Sequence, residues 1–189
     1  MSTPGPAAAR LLGRGPRQPD GLSCGAACLV VAEALANEAY AARLADGGAD
    51  RFSAEVLAMH RRATGPVDVA GRLQAPWTRM LGTPPWAVAR QLTARRGRPH
   101  RTRLVPPWAR ARTRAVDTIR AAAATDPVPL FVGSRLLPRH VVLVLDADLM
   151  TYDPATGRIA TLDADELVAG RVAGLGWPVP WAWVGPARR

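Results

Sequence analysis

Four residues have the types and spacing to act together: Gln18, Cys24, His140 and Asp153. Cys24 lies in "RQPDGLSCGAACLVVAEALAN", residues 17–37, at the point where an Ala- and Leu-rich helix is expected to begin. A thiol at a helix start sits beside unpaired backbone N–H groups and the positive end of the helix dipole. Such a setting favours the thiolate, the nucleophilic form. Pro19-Asp20-Gly21 reads as a turn that brings the chain sharply into that helix. Gly25 leaves room for a substrate backbone to approach the sulfur.

A sulfur nucleophile needs a base. His140 opens "RHVVLVL" (139–145), an apolar strand, and Asp153 ends the next strand in "TYDPATG" (151–157). A turn at Asp146-Ala147 sets the two opposite each other on one face, with Cβ atoms about 4.5–5.5 Å apart. A slip of one residue would send them to opposite faces. A carboxylate placed there orients the imidazole and stabilises its charged form. The Gln18 amide and the Cys24 N–H are the expected donors to a developing oxyanion. Each residue alone has an ordinary explanation: a small buried Cys, a structural His, an Asp and Gly that serve a turn. The order Gln, Cys, His, Asp with fitting local structure favours chemistry. Cys28, one turn deeper, reads as core.

The elements that must position them fall into two blocks. Residues 1–17 read as a flexible lead-in, and 18–189 as one domain. A long helix is expected over 24–45, stopped by Gly47-Gly48. Ser53 is the expected cap of a second helix. Residues 64–83 look irregular, and Thr83-Pro84-Pro85 opens a third helix. A strand over 101–105 and a helix over 113–124 follow. The C-terminal third shifts to strands at 128–133, 139–145, 150–153, 158–162 and 181–185, with Asp163 capping a short helix. Helices first and an antiparallel sheet after is the α+β pattern.

Composition bounds the rest. The chain has 189 residues, a 48% hydrophobic share and a net charge of +10, and all 25 of its basic residues are Arg. Nine of these fall within residues 90–114, a window without Asp or Glu. That segment reads either as a solvated face or as a patch for nucleic acid, anionic lipid or an acidic partner. The arginines are not interleaved with aromatics that stack on bases, which favours the solvated face. No apolar run approaches the roughly 18 residues of a membrane span. No signal-peptide core is visible, so the cytoplasm is the expected compartment, with non-classical export left open. Cys24 and Cys28 are the only cysteines. They are poorly spaced for a disulfide on one helix. A zinc site would have to recruit two of His60, His100 and His140, or carboxylates, from far away. Of the six tryptophans, Trp177 and Trp181 are the candidates for a cleft, and the others read as core.

"QPDGLSCGAACLVV", "RHVVLV" and "YDPATG" together resemble the papain-like cysteine peptidases, most closely the bacterial bacteriocin-processing, double-glycine leader peptidases. The resemblance implies a papain-like fold, with a central helix opened by the nucleophile and packed on a C-terminal antiparallel sheet. It implies Cys24 as nucleophile, His140 as base, Asp153 as its orienting partner and Gln18, six residues before the Cys, at the oxyanion. Ser23 stands where leader peptidases often have Asp. The expected function is a stand-alone thiol hydrolase that cleaves a peptide or isopeptide bond, with no metal or cofactor. A deamidase or acyltransferase effector could use the same apparatus. An inactive papain-like binding module working through residues 90–114 is the alternative of another class.

Overall fold

The computed structural model describes residues 4–187. Helix α1 (Pro6–Gly13) is followed by α2 (Cys24–Ala36), α3 (Glu38–Thr64) and α4 (Pro85–Arg96). Strand β1 (His100–Leu104) and helix α5 (Ala109–Ala123) lead into β2 (Val128–Gly133), β3 (Pro138–Val144), β4 (Met150–Asp153) and β5 (Arg158–Thr161). A short helix α6 (Ala164–Val168) and strand β6 (Val179–Pro186) complete the chain, which is α+β. The six strands form one antiparallel sheet in the order β1-β6-β2-β3-β4-β5.

Apolar clusters cover both faces of this sheet. On one face Phe131, Val141, Leu143 and Tyr152 pack with α1–α4. On the other, Leu130, Val132, Val142, Val144 and Trp183 pack with α5 and α6. Such two-sided burial explains why β2 is buried at every position instead of alternating. Helix α2 lies nearest the centre, and ten of its 13 residues are buried. Its Ala, Val, Leu and Cys side chains are apolar on all sides, as a helix enclosed by other elements requires.

Three expectations are corrected. The helix expected over 24–45 breaks at Asn37, whose backbone is extended. The Asn37 side chain accepts the Tyr40 N–H at 3.0 Å, so it caps a new helix and ends the buried one. Gly47-Gly48 ends a helix as expected, because Gly48, at φ 66°, leaves the helical range and divides α3 into two helical stretches. The second stretch is already under way at Ser53, which lies inside it and is not its cap. Residues 1–17, expected as a flexible lead-in, are built into the fold over their described part. Ala7, Ala8 and Leu11 are buried. Their i, i+1, i+4 spacing gave one apolar face, which α1 turns toward α3.

After α1 the chain runs across the turn between β4 and β5. The Tyr152 hydroxyl donates to the Pro16 carbonyl at 2.7 Å, and Arg17 Nε donates to the Thr156 carbonyl at 2.8 Å. Gly157 has φ 72°, and a Cβ there would lie 2.2 Å from the Gly15 carbonyl oxygen, so the crossing needs glycine. We expect Tyr152→Phe, which leaves the buried Pro16 carbonyl without its donor, to cost about 1–3 kcal/mol. Urea denaturation checks this, and limited proteolysis should show faster cleavage before residue 18.

Candidate active site

Cys24 is the first residue of α2, and Ser23 precedes it as the N-cap without a side-chain capping bond. The amides of this first turn have no partner within the helix. Cys24 is buried, and Cys28, one turn on, is fully enclosed. Cys28 Sγ donates to the Val141 carbonyl at 3.4 Å, which fixes α2 against β3 one residue past His140. Burial pushes the Cys28 thiol pKa well up, as suits a core side chain. Both cysteines are free.

His140 lies near the start of β3 and is buried. Its Nε2 meets Asp153 Oδ1 at 2.7 Å. Burial works against the charged ring. The Asp153 hydrogen bond, then the hydrogen bond and charge of Cys24, outweigh it and push the pKa up to about 9. With Nε2 committed to the carboxylate, Nδ1 is the nitrogen left for the sulfur. The Asp153 carboxyl is opposed by burial as well, and its pKa is held low chiefly by the bonds from His140 and Thr156. Asp153 Oδ1 also accepts the Ala155 N–H at 3.0 Å, and Oδ2 accepts the Thr156 hydroxyl at 2.8 Å. Three hydrogen-bonding groups, His140 Nε2, the Ala155 N–H and the Thr156 hydroxyl, thus lock the His140–Asp153 pair in one geometry.

The register that produces this line differs from the expected one. Leu143 lies opposite Tyr152 and Val144 opposite Thr151, so the ladder continues from Asp153 to Val142 and not to His140. The hairpin loop is longer than a turn at Asp146-Ala147. The Leu145 N–H closes it on the Met150 carbonyl at 2.6 Å, and Asp146 Oδ1 accepts the Asp148 and Met150 amides. Leu149 takes φ 63° inside it. The offset is two residues, which preserves the side of the sheet, so His140 and Asp153 meet as diagonal neighbours.

Gln18 is tied to the same turn, its backbone N–H donating to the Pro154 carbonyl at 2.8 Å. Its side-chain Nε2 donates to the Asp20 carbonyl, and Oε1 is buried without a partner. One of the two Nε2 hydrogens is therefore engaged within the turn. Gly25 departs from its expected use. It is buried, and the space at its Cα is taken by Thr83 and not left for substrate. Trp177 stacks on the His140 ring at a centroid distance of 6.1 Å and an interplanar angle of 23°. The Gly-rich run "GLGWP" was the sequence signal for it. Trp181 instead donates from Nε1 to the Ser134 carbonyl at 2.8 Å, beneath the turn that leads to His140.

The other histidines are engaged elsewhere. His100 Nδ1 faces the Arg98 carbonyl at 2.9 Å, and its Nε2 lies 3.4 Å from Asp126. His60 is buried on α3, with its pKa lowered first by burial. Among the described residues no group of three or more His, Cys, Asp or Glu could hold a metal ion, and no helix is long and apolar enough to cross a membrane. Six of the nine arginines in 90–114 serve contacts within the fold. Arg96 and Arg98 pair with Asp126, Arg95 with Glu33 and Arg90 with Asp68. Arg103 lies over the Trp183 ring, and Arg112 Nε donates to the Val168 carbonyl.

Comparison with protein-family models, with curated proteins and with solved structures finds no match to this chain.

A Cβ added at Gly25 would lie 2.8 Å from Thr83 Cβ, an atom held close to backbone. Alanine is better than glycine inside a helix by about 1 kcal/mol. The collision should outweigh that gain, and we expect Gly25→Ala to cost a net 1–2 kcal/mol or so. A lower urea midpoint with unchanged slope checks it, and Thr83→Gly in the same chain should return part of the loss.

Proposed function

We propose that the chain is a papain-like thiol hydrolase that cleaves a peptide or isopeptide bond through an acyl-enzyme. The observation that carries this reading is the Cys24–His140–Asp153 line at the start of the buried helix. No ordinary packing role calls for a raised imidazole pKa, a triply hydrogen-bonded carboxylate and a helix-start sulfur in one chain of contacts.

The chemistry follows from the placement. With a pKa pushed up to about 9, His140 carries its second proton at neutral pH. An imidazolium beside the sulfur at a helix N-terminus is the setting in which thiolate is the working nucleophile. Cys24 Sγ attacks the carbonyl carbon. The negative charge that develops on oxygen is met by the Cys24 N–H and by the free Nε2 hydrogen of Gln18. The C–N bond breaks as His140 Nδ1–H gives its proton to the leaving amine. Water then attacks the thioester carbonyl as neutral His140 takes a proton from it, and the C–S bond breaks to release the carboxylic product and restore the Cys24 thiolate beside the imidazolium. Asp153 holds the ring by Nε2 throughout, so Nδ1 always faces the sulfur. Trp177 covers a face of that ring and limits its exchange with water.

Transfer of the acyl group to an amine, or deamidation, would run on the same residues. The binding-module reading has less support, because most of the arginines in 90–114 are spent inside the fold.

Three outcomes test the reading. A thiol-reactive, peptide-like probe should modify Cys24 in the native protein at neutral pH. His140→Ala should slow this by at least tenfold, and equal slow labelling of both proteins would remove the hydrolase reading. The imidazolium is present below about pH 9 and lost above it. The hydrolysis rate should therefore fall through that value, and Asp153→Asn should move the fall toward the usual imidazole range near 6.5. Gln18→Ala should lower kcat by about 100- to 1,000-fold with little change in labelling of Cys24.

A further inference from the structure

Two loop tips of similar make-up, each an Arg followed by two large apolar side chains, adjoin the Cys24 and His140 segments. One is Arg79-Met80-Leu81, a single 3-10 turn in which Met80 is 78% and Leu81 64% exposed. It is placed by its next two residues. A Cβ at Gly82 would lie 3.4 Å from the Leu22 carbonyl, and Thr83 packs on Gly25, beside the nucleophile. The other tip is Arg135-Leu136-Leu137, in the turn between β2 and β3, with Leu136 83% and Leu137 52% exposed. His140 follows three residues later. Leu22, itself exposed, precedes Cys24 by two residues.

Side chains this apolar are costly to leave in water as a group, and patches of this kind mark interaction sites. Charge narrows the partner. Arg79, Arg135 and Arg139 are exposed, and among the described residues none forms an ion pair with a carboxylate. Neither tip contains an acid. Asp20 is the carboxylate nearest in the chain to Cys24, and it accepts the Leu22 N–H at 2.9 Å. The tip before His140 is also held rigid. Ser134 Oγ accepts the Leu136 and Leu137 amides at 3.3 and 3.2 Å, and the Ser134 carbonyl accepts Trp181 Nε1. A pinned tip suits a partner of defined shape, since little order is lost when it binds.

We propose that these two tips are the two sides of a substrate clamp, one beside the sulfur and one beside the imidazole. The clamp takes an acidic protein segment that carries aliphatic side chains on both sides of the bond to be cut. This deepens the hydrolase reading and rests on it. It makes the enzyme an endopeptidase that reads both flanks of an internal bond, because each tip adjoins a different member of the reacting pair. A bilayer is the less suited partner, because a flat surface resting on both tips would close off the sulfur between them.

Binding to the Cys24→Ala protein tests the clamp without requiring turnover. The probes are three fluorescein-labelled decapeptides of one length: alternating Leu and Glu, alternating Leu and Lys, and alternating Ser and Glu. Fluorescence anisotropy should show the Leu/Glu peptide binding at least tenfold more tightly than either of the others. Met80→Ser with Leu81→Ser, and Leu136→Ser with Leu137→Ser, should each weaken it about tenfold. Replacing Arg79, Arg135 and Arg139 by Gln should make the Leu/Glu and Leu/Lys peptides equal. All seven positions are exposed, so the variants should keep the wild-type unfolding midpoint. Equal binding of the three peptides, or no effect of the serine variants, would overturn the clamp. So would sedimentation with phosphatidylserine vesicles that the serine variants abolish, if the peptides fail to discriminate; the patch would then be a lipid contact. Selective peptide binding by a protein whose Cys24 proves unreactive would support the docking surface and remove the hydrolysis.

Discussion

A 2.7 Å hydrogen bond from His140 Nε2 to Asp153 joins two strands at the point where a buried helix delivers a sulfur. Much of the surrounding architecture serves to keep those three groups in register. The imidazole has two nitrogens, and holding one leaves the other nothing to do but face Cys24. The carboxylate can hold a nitrogen only because Ala155 and Thr156 fix its own two oxygens. The sulfur comes to the ring because Cys28 ties the next turn of α2 to the Val141 carbonyl. Each constraint is a single contact, and each depends on a neighbour already in place.

The electrostatic balance shows what the burial is for. Enclosing an imidazole in an apolar setting should favour its neutral form. Here the carboxylate and the thiol reverse that preference, and the ring ends with a pKa of about 9. The same low-dielectric surroundings that penalise the charge also strengthen its attraction to Asp153. His60, buried without a comparable set of partners, moves the other way. On the proposed reading, this contrast is what assigns proton transfer to His140 and packing to His60.

Much of this was legible from residue types and periods, because local rules decide it. The helix start at Cys24, the strand at His140, the end of β4 at Asp153 and the cap at Asp163 each follow from a few neighbouring residues. The α+β class follows from the change of period along the chain. Long-range packing decided what was misread. The segment before residue 18 is short and Pro- and Gly-rich, and only its contacts with α3 and the β4–β5 turn order it. Asn37 read as one more polar residue in a helix, yet its side chain is better placed as a cap. Gly25 was read as space for substrate because nothing in its neighbourhood announces Thr83, 58 residues away. The hairpin register was wrong by two and the site was still assembled. Loop length sets register, while the two-residue period of a strand sets which side chains share a face.

The most direct test of the central claim is a titration of His140 itself, by imidazole-edited NMR of the folded protein. The account predicts a pKa near 9 in the wild type and a clear fall when either Cys24→Ala or Asp153→Asn removes one of its partners. A midpoint near 6.5 that neither substitution moves would contradict it: the three side chains would then be neighbours in space without acting as one unit.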